Sequence, residues 1–215
     1  MKVLVIGANG QIGSHMVTML GLSRDHQVRA MVRKEEQKDK MNDLHAEEVV
    51  LGDLEQDFSH ALEGVDAVIF TAGSGGHTGK EQTEIIDRNA AIRAVEQAEK
   101  AGVQRFIMIS TMMADKPNEA PEKAQHYFQA KHDADEALIN SSLNYTIFRP
   151  GPLSNDEAQG TVTIQKKMDS FDGSIAREDV ANAAVNALVL EETYHQILEI
   201  HHGSTPVGEA LKTFS

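Results

Sequence analysis

This 215-residue chain lacks cysteine, an excess of basic residues, and any long unbroken apolar run. Without cysteine there can be no disulfide, thiolate ligand or thiol nucleophile, which fits a reducing, cytoplasmic setting. Lysine and arginine number 20 against 33 acidic residues, for a formal net charge of −13. Phosphate backbones need a basic surface, so nucleic acid is not expected as a partner. No window approaches the roughly 18 apolar residues of a membrane span. A strand-like run starting at Lys2 leaves no room for a signal peptide, so no membrane partner is expected. Neighbouring strand residues point to opposite faces, so His201 and His202 are not expected to share an ion, and no metal site is expected.

What is present is a regular alternation. Short β-branched runs at 2–7, 27–33, 47–53, 66–73, 105–110 and 144–150 are separated by helix-period segments at 11–21, 34–44, 58–63, 81–101 and 121–141. Several runs show no polar alternation, as expected of parallel strands covered on both faces. The pattern predicts a Rossmann-type doubly wound α/β sheet in three layers. Pro121 and Glu122 are expected in the first turn of the 121–141 helix. From about 151 the pattern loosens: a strand at 161–165, a helix from Arg177 to about Leu190, a strand at 196–201 and a helix opened by Pro206. The length suits one domain over 1–215, with 151–215 a C-terminal elaboration covering the substrate.

The first strand runs into GANGQIG. Gly7 would turn the chain, Gly10 would let amides approach a pyrophosphate, and Gly13 would let the helix pack on the sheet. Asn9, Gln11 and Ile12 complete this cofactor turn, and the helix N-terminus adds free N–H groups and partial positive charge. Following a strand and opening a helix, the motif predicts a dinucleotide site. The second strand ends in Arg33, with Lys34 beside it. An acid at that end would suit a ribose 2′-hydroxyl, and a guanidinium suits a 2′-phosphate. NADP(H) is therefore expected over NAD(H). The alternative is that Glu35 or Glu36 takes the ribose.

GANGQIG, VR, GDLEQ, TAG, ISTM, YFQAK and RPGPLS occur in that order between residues 7 and 154. Together they resemble the short-chain dehydrogenase/reductase superfamily, in its small atypical branch of flavin and biliverdin reductase-like and NmrA-like proteins. The resemblance implies roles for matching positions. Asp53 and Leu54 would flank the adenine, and Thr71, Ala72 and Gly73 would line the path to the nicotinamide ribose. Ser110 would stand beside the reacting carbonyl, Lys131 would bond the ribose, and Pro150 would pass near the nicotinamide.

Tyr127 and Lys131 lie one helical turn apart on one face. Tyr127 would then be the proton donor or acceptor, and a lysine cation close by would lower its pKa. Ser110, or Thr111 beside it, would hold the substrate oxygen. If Tyr127 points away, His126 could supply the proton. Met112 and Met113 are either an adaptable substrate wall or loop packing, and GSGGHTG (73–79) is either a lid or a plain loop. The expected activity is NADPH-dependent reduction of a small carbonyl, quinone or flavin-like acceptor. A non-catalytic NADP-binding sensor, NmrA-like, is the second reading, and an epimerase or dehydratase the third.

Overall fold

A computed structural model describes residues 1–75, 79–170 and 172–214. Its main sheet has nine strands in the order β11-β8-β10-β6-β5-β4-β1-β2-β3. The strands are β1 (Lys2–Ile6), β2 (Gln27–Val32), β3 (Glu48–Leu51), β4 (Ala67–Phe70), β5 (Arg105–Ile109), β6 (Asn144–Pro150), β8 (Thr161–Gln165), β10 (Gln196–His202) and β11 (Thr205–Pro206). All pairings from β3 to β10 are parallel, whereas β8 runs antiparallel to both β10 and β11. A second sheet pairs β7 (Leu153–Ser154) with β9 (Ile175–Ala176). The helices are α1 (Gln11–Gly21), α2 (Lys38–Asp43), α3 (Lys80–Gln82), α4 (Ala91–Lys100), α5 (Gln125–Ile139), α6 (Arg177–Ala187) and α7 (Val207–Leu211). Among the described residues none is long and apolar enough to cross a membrane.

The apolar strands follow from burial on both faces. Along β1, Val3 and Val5 enter one core with Met16, Leu20 and the α6 alanines, while Leu4 and Ile6 enter the other with Phe70, Phe106 and Leu138. Side chains still alternate, but both faces are dry, so the sequence shows no polar alternation.

The structure corrects several sequence boundaries. The 34–44 segment divides into a 3₁₀ turn, Glu35–Gln37, and α2, because the Gln37 side chain accepts the amides of Arg33 and Lys34 at 3.0 Å each. The 81–101 segment is one helical rod interrupted by a π-helical stretch, Thr83–Ala90, between α3 and α4. Helix α5 begins at Gln125, not Pro121: the amides of Ala124 and Gln125 both bond to the Pro121 carbonyl in a preceding turn whose Glu122 and Lys123 stay exposed. The ladder with β8 runs through His201 and His202, the first buried and the second exposed, yet their rings lean to within 4.4 Å of each other.

Arg105 ties the far side of the sheet together. It is fully buried and donates to the carbonyls of Asn144 (2.7 Å) and Ala187 (2.9 Å) and to the hydroxyls of Thr146 (2.6 Å) and Thr193 (3.0 Å). Its guanidinium also sits 4.6 Å from the centre of the Tyr194 ring. Burial without a carboxylate lowers its pKa to about 10. Arg105→Ala would strand these acceptors and open a cavity, and a loss of about 3–5 kcal/mol is expected. Urea unfolding followed by far-ultraviolet circular dichroism measures it; a change below about 1 kcal/mol would contradict the assigned clamp.

Candidate functional site

The sheet reverses its winding at β1 and β4: the chain leaves β1 towards β2 and β3, then returns to β4 on the other side. A crevice must open at the carboxyl ends of two such strands. Gly7 ends β1 at φ +88°, and a Cβ there would lie 2.6 Å from the amide nitrogen of Ala72, just beyond β4. A Cβ on Gly13 would collide with the Gly7 carbonyl. Both positions therefore require glycine. No side chain caps α1 and its first turn holds no acid, so that turn's amides remain available to an anion. This cradle fits a dinucleotide diphosphate.

A cavity of about 470 Å³ runs from this turn over the ends of β2 and β3. Gly7, Asn9, Gly10, Arg33, Asp53, Leu54, Thr71, Ala72 and Gly73 line it, as do Gln37 and Ile86, which sequence reasoning had not singled out. Glu35 pairs with Lys38 at 3.0 Å and Glu36 with Lys34 at 3.4 Å, and none of those four lines the cavity. Lys34 is thus turned away from the position expected of it, drawn to a neighbouring carboxylate. Lys40 reaches the glycine turn instead, its Nζ 3.1 Å from the Asn9 carbonyl and 3.0 Å from Asn9 Oδ1.

A second cavity, of about 640 Å³, shares Gly10, Thr71, Ala72 and Gly73 with the first. Gln11, Ile12, Asp87, Ser110, His126, Tyr127 and Lys131 also line it. The three residues named for chemistry are therefore brought to one wall. Pro150 lies in an adjoining cavity of about 470 Å³ with Thr111, Met112 and Met113, so the two methionines form a cavity wall. The proposed lid at 73–79 falls partly on residues 76–78, outside the described residues.

The electrostatics differ from expectation. Lys131 is buried and donates to the Ile109 carbonyl at 2.9 Å. Burial lowers its pKa, while Asp87 and Asp135 favour the charged form. Tyr127 is pushed up to about 12, by burial first and then by the Asp87 charge, against a hydrogen bond with Thr111. The lysine was expected to lower it; removal from water and a nearby carboxylate win instead.

Two buried aspartates frame this wall. Asp87 sits in the π-helical stretch, where its Oδ2 accepts the Ser74 amide (3.1 Å) and hydroxyl (2.6 Å). Asp135, one turn beyond Lys131 on α5, takes Arg149 Nε at 3.0 Å and Nη2 at 2.9 Å on one oxygen. Its other oxygen and the Ser110 hydroxyl are both buried without a hydrogen bond of good geometry. Burial raises the Asp135 pKa, opposed by Arg149, Ser110 and Lys131. Outward, Arg149 faces Asp115 at 3.8 Å, and Lys167 bridges Asp115 (2.9 Å) and buried Glu199 (2.7 Å). Alternating charges thus lead from the surface to the Ser110 wall. Neither aspartate carried a motif; only an acid one turn past Lys131 could have hinted at Asp135.

The profile of the NAD(P)H-binding family matches residues 7–190. A Bacillus subtilis (strain 168) protein named as an uncharacterized sugar epimerase, YhfK, is 44% identical over 215 residues, covering 99% of both chains. Sanguinarine reductase of Eschscholzia californica is 28% identical over 264 residues, covering 100% of this chain and 93% of that one. Among solved structures, the Lactococcus lactis oxidoreductase ylbE superposes with a TM-score of 0.85 at 29% identity, covering 99% of this chain and 96% of the other. With the glycine cradle, the two cavities and these relatives in agreement, the chain belongs to the NAD(P)H-binding family of Rossmann-fold proteins.

Proposed function

We propose that this protein is an NADPH-dependent oxidoreductase that reduces a small carbonyl, quinone or flavin-like acceptor. One observation carries the reading: Tyr127, Lys131 and Ser110 meet in a cavity that is continuous, through Gly10 and Thr71–Gly73, with the cleft of the glycine turn. The bound nicotinamide would supply hydride. Ser110 would hold the substrate oxygen, and Tyr127 would deliver the proton as negative charge develops there. Lys131, fixed by the Ile109 carbonyl, would keep positive charge beside that oxygen. Burial and the Asp87 charge hold the Tyr127 phenol protonated, the form that gives up a proton in a reduction. A sugar epimerase, the name carried by the Bacillus subtilis relative, would instead need Tyr127 to act first as a base on a hydroxyl.

The preference for NADPH rests on Arg33. It lines the adenosine end and makes no ion pair with a described residue, while Glu35 and Glu36 are occupied by lysines. Arg33→Ala should weaken NADPH binding roughly ten- to a hundredfold, the loss of a charge-assisted phosphate contact. Binding of NADH should change little; calorimetric titration showing equal losses would remove the assignment.

Incubation of the pure protein with NADPH and quinones, flavins or aldehydes should consume the cofactor, and Tyr127→Phe should slow this by roughly 10²–10⁴-fold. In the wild type, kcat/KM should show no ionisation between pH 6 and 9 that disappears in Tyr127→Phe. Tight binding without turnover of any acceptor would favour a sensor instead.

Asp135→Asn removes one of the two carboxylates that keep Lys131 charged, so the Lys131 pKa falls further. The alkaline limb of the activity profile should then move towards neutral pH, measured under conditions where circular dichroism shows the variant folded. An unmoved limb would separate Lys131 from the proton chemistry.

A further inference from the structure

We infer that Arg177 anchors an anionic group on the acceptor, which makes the preferred substrate class an apolar or aromatic carbonyl, quinone or flavin compound bearing a carboxylate or phosphate. The inference rests on the reading of the Tyr127 cavity as the acceptor site.

Arg177 stands where three cavities meet, one of them lined by Asn155, Asp156, Glu157 and Glu178. It lines the wall shared with Tyr127 and Lys131, and also the neighbouring apolar cavity formed by Met112, Met113, Phe128 and Pro152. Met113 adopts φ +67°, an uncommon backbone state for a residue with a side chain and one that clusters at ligand clamps. A bound compound could thus lay its apolar body along the thioethers, which adapt in shape, while its charged end meets the guanidinium.

The guanidinium is available for this. The chain carries 33 acidic residues, yet Arg177 makes no ion pair with any described residue; its one hydrogen bond runs from Nη1 to the neutral Asn155 Oδ1 at 2.8 Å. Asp156, Glu157 and Glu178 share the third cavity with it, Glu178 lying 3.9 Å from His15, but none of them pairs with the guanidinium, and Asp179 accepts the amides of Gln159 and Gly160 at 3.0 and 2.8 Å. Lys123, on the wall of the Tyr127 cavity, likewise makes no ion pair with a described residue. The Tyr127 cavity therefore presents Lys123, Lys131 and Arg177 against one carboxylate, Asp87, in a protein of net charge −13. Such a local reversal of sign concentrates and orients anions, and a guanidinium can grip a carboxylate or phosphate through two parallel bonds.

The test measures binding, so it does not depend on knowing the natural acceptor. Wild-type protein is first titrated with NADP⁺ alone, which checks the cofactor reading separately. The NADP⁺-loaded protein is then titrated with naphthalene-2-carboxylate and with its neutral counterpart, naphthalene-2-methanol. The carboxylate should bind at least tenfold more tightly. Arg177→Gln should abolish that difference with NADP⁺ affinity unchanged, and Arg177→Lys should retain part of it. Equal binding of the two probes, or binding of neither, overturns the proposal. So does a fall in NADP⁺ affinity in Arg177→Gln, because the cation would then serve the cofactor's diphosphate.

Discussion

At the end of β1 the backbone of Gly7 comes so close to that of Ala72 that no side chain can stand between them. This contact holds two strands together at the point where the sheet reverses its winding, and it leaves the crevice above them to the first turn of α1. The rest of the site is arranged around it. The ends of β2 and β3 supply one wall, and β5, α5 and the turn after β4 supply the other. Were Gly7 to bear a Cβ, β1 and β4 would have to separate, and the two cavities would lose the residues they share.

The second organising constraint is the placement of charge out of water. Lys131 and Asp135 are both buried on α5, and burial pushes each towards its neutral form, the lysine down and the aspartate up. Each is also held charged by the other's field, and Arg149 completes a set that no single member could occupy alone at acceptable cost. One oxygen of this buried carboxylate is committed to Arg149, while its other oxygen and the Ser110 hydroxyl are both left without a well-formed hydrogen bond. Arg105 represents the opposite solution on the far side of the sheet: a buried cation paired with no acid among the described residues, whose terminal nitrogens donate to carbonyls and hydroxyls beside an aromatic face while Nε has no partner.

Much of this was legible in the sequence because it is local. The glycine turn is a short contiguous pattern with one steric meaning at each position, and α1 begins and ends at residues 11 and 21, where the periodicity placed it. Tyr127 and Lys131 were readable because their helical spacing is local too. Contacts made across the chain were not readable. Lys34 was chosen as the second cation because it adjoins Arg33, yet it pairs with Glu36, while Lys40 crosses from α2 to Asn9. The sheet of β7 and β9 has two residues per strand, too few for any alternation to register, and it is this sheet that sets Leu153 and Arg177 over the site. The sign of the Tyr127 shift was missed for a similar reason. Its nearest sequence partner is a cation, whereas burial, the larger cause, and the Asp87 charge both come from contacts across the chain.

The π-helical stretch between α3 and α4 bears on how such a site can change. A turn closed by five residues holds one more than an α-helical turn, and it shifts the angular position of everything before it relative to everything after. The downstream half, α4, is locked in phase by Ala91, Ala94, Val95 and Ala98 in the core, so the surplus residue must be absorbed on the side that carries Asp87. Loss of a single codon there would let the rod wind as an ordinary α-helix. It would swing that carboxylate relative to Tyr127, together with Ile86 and the Arg88–Asp133 pair, so a lineage could retune the acidity of Tyr127 through one deletion, with α4 and its core alanines left in phase.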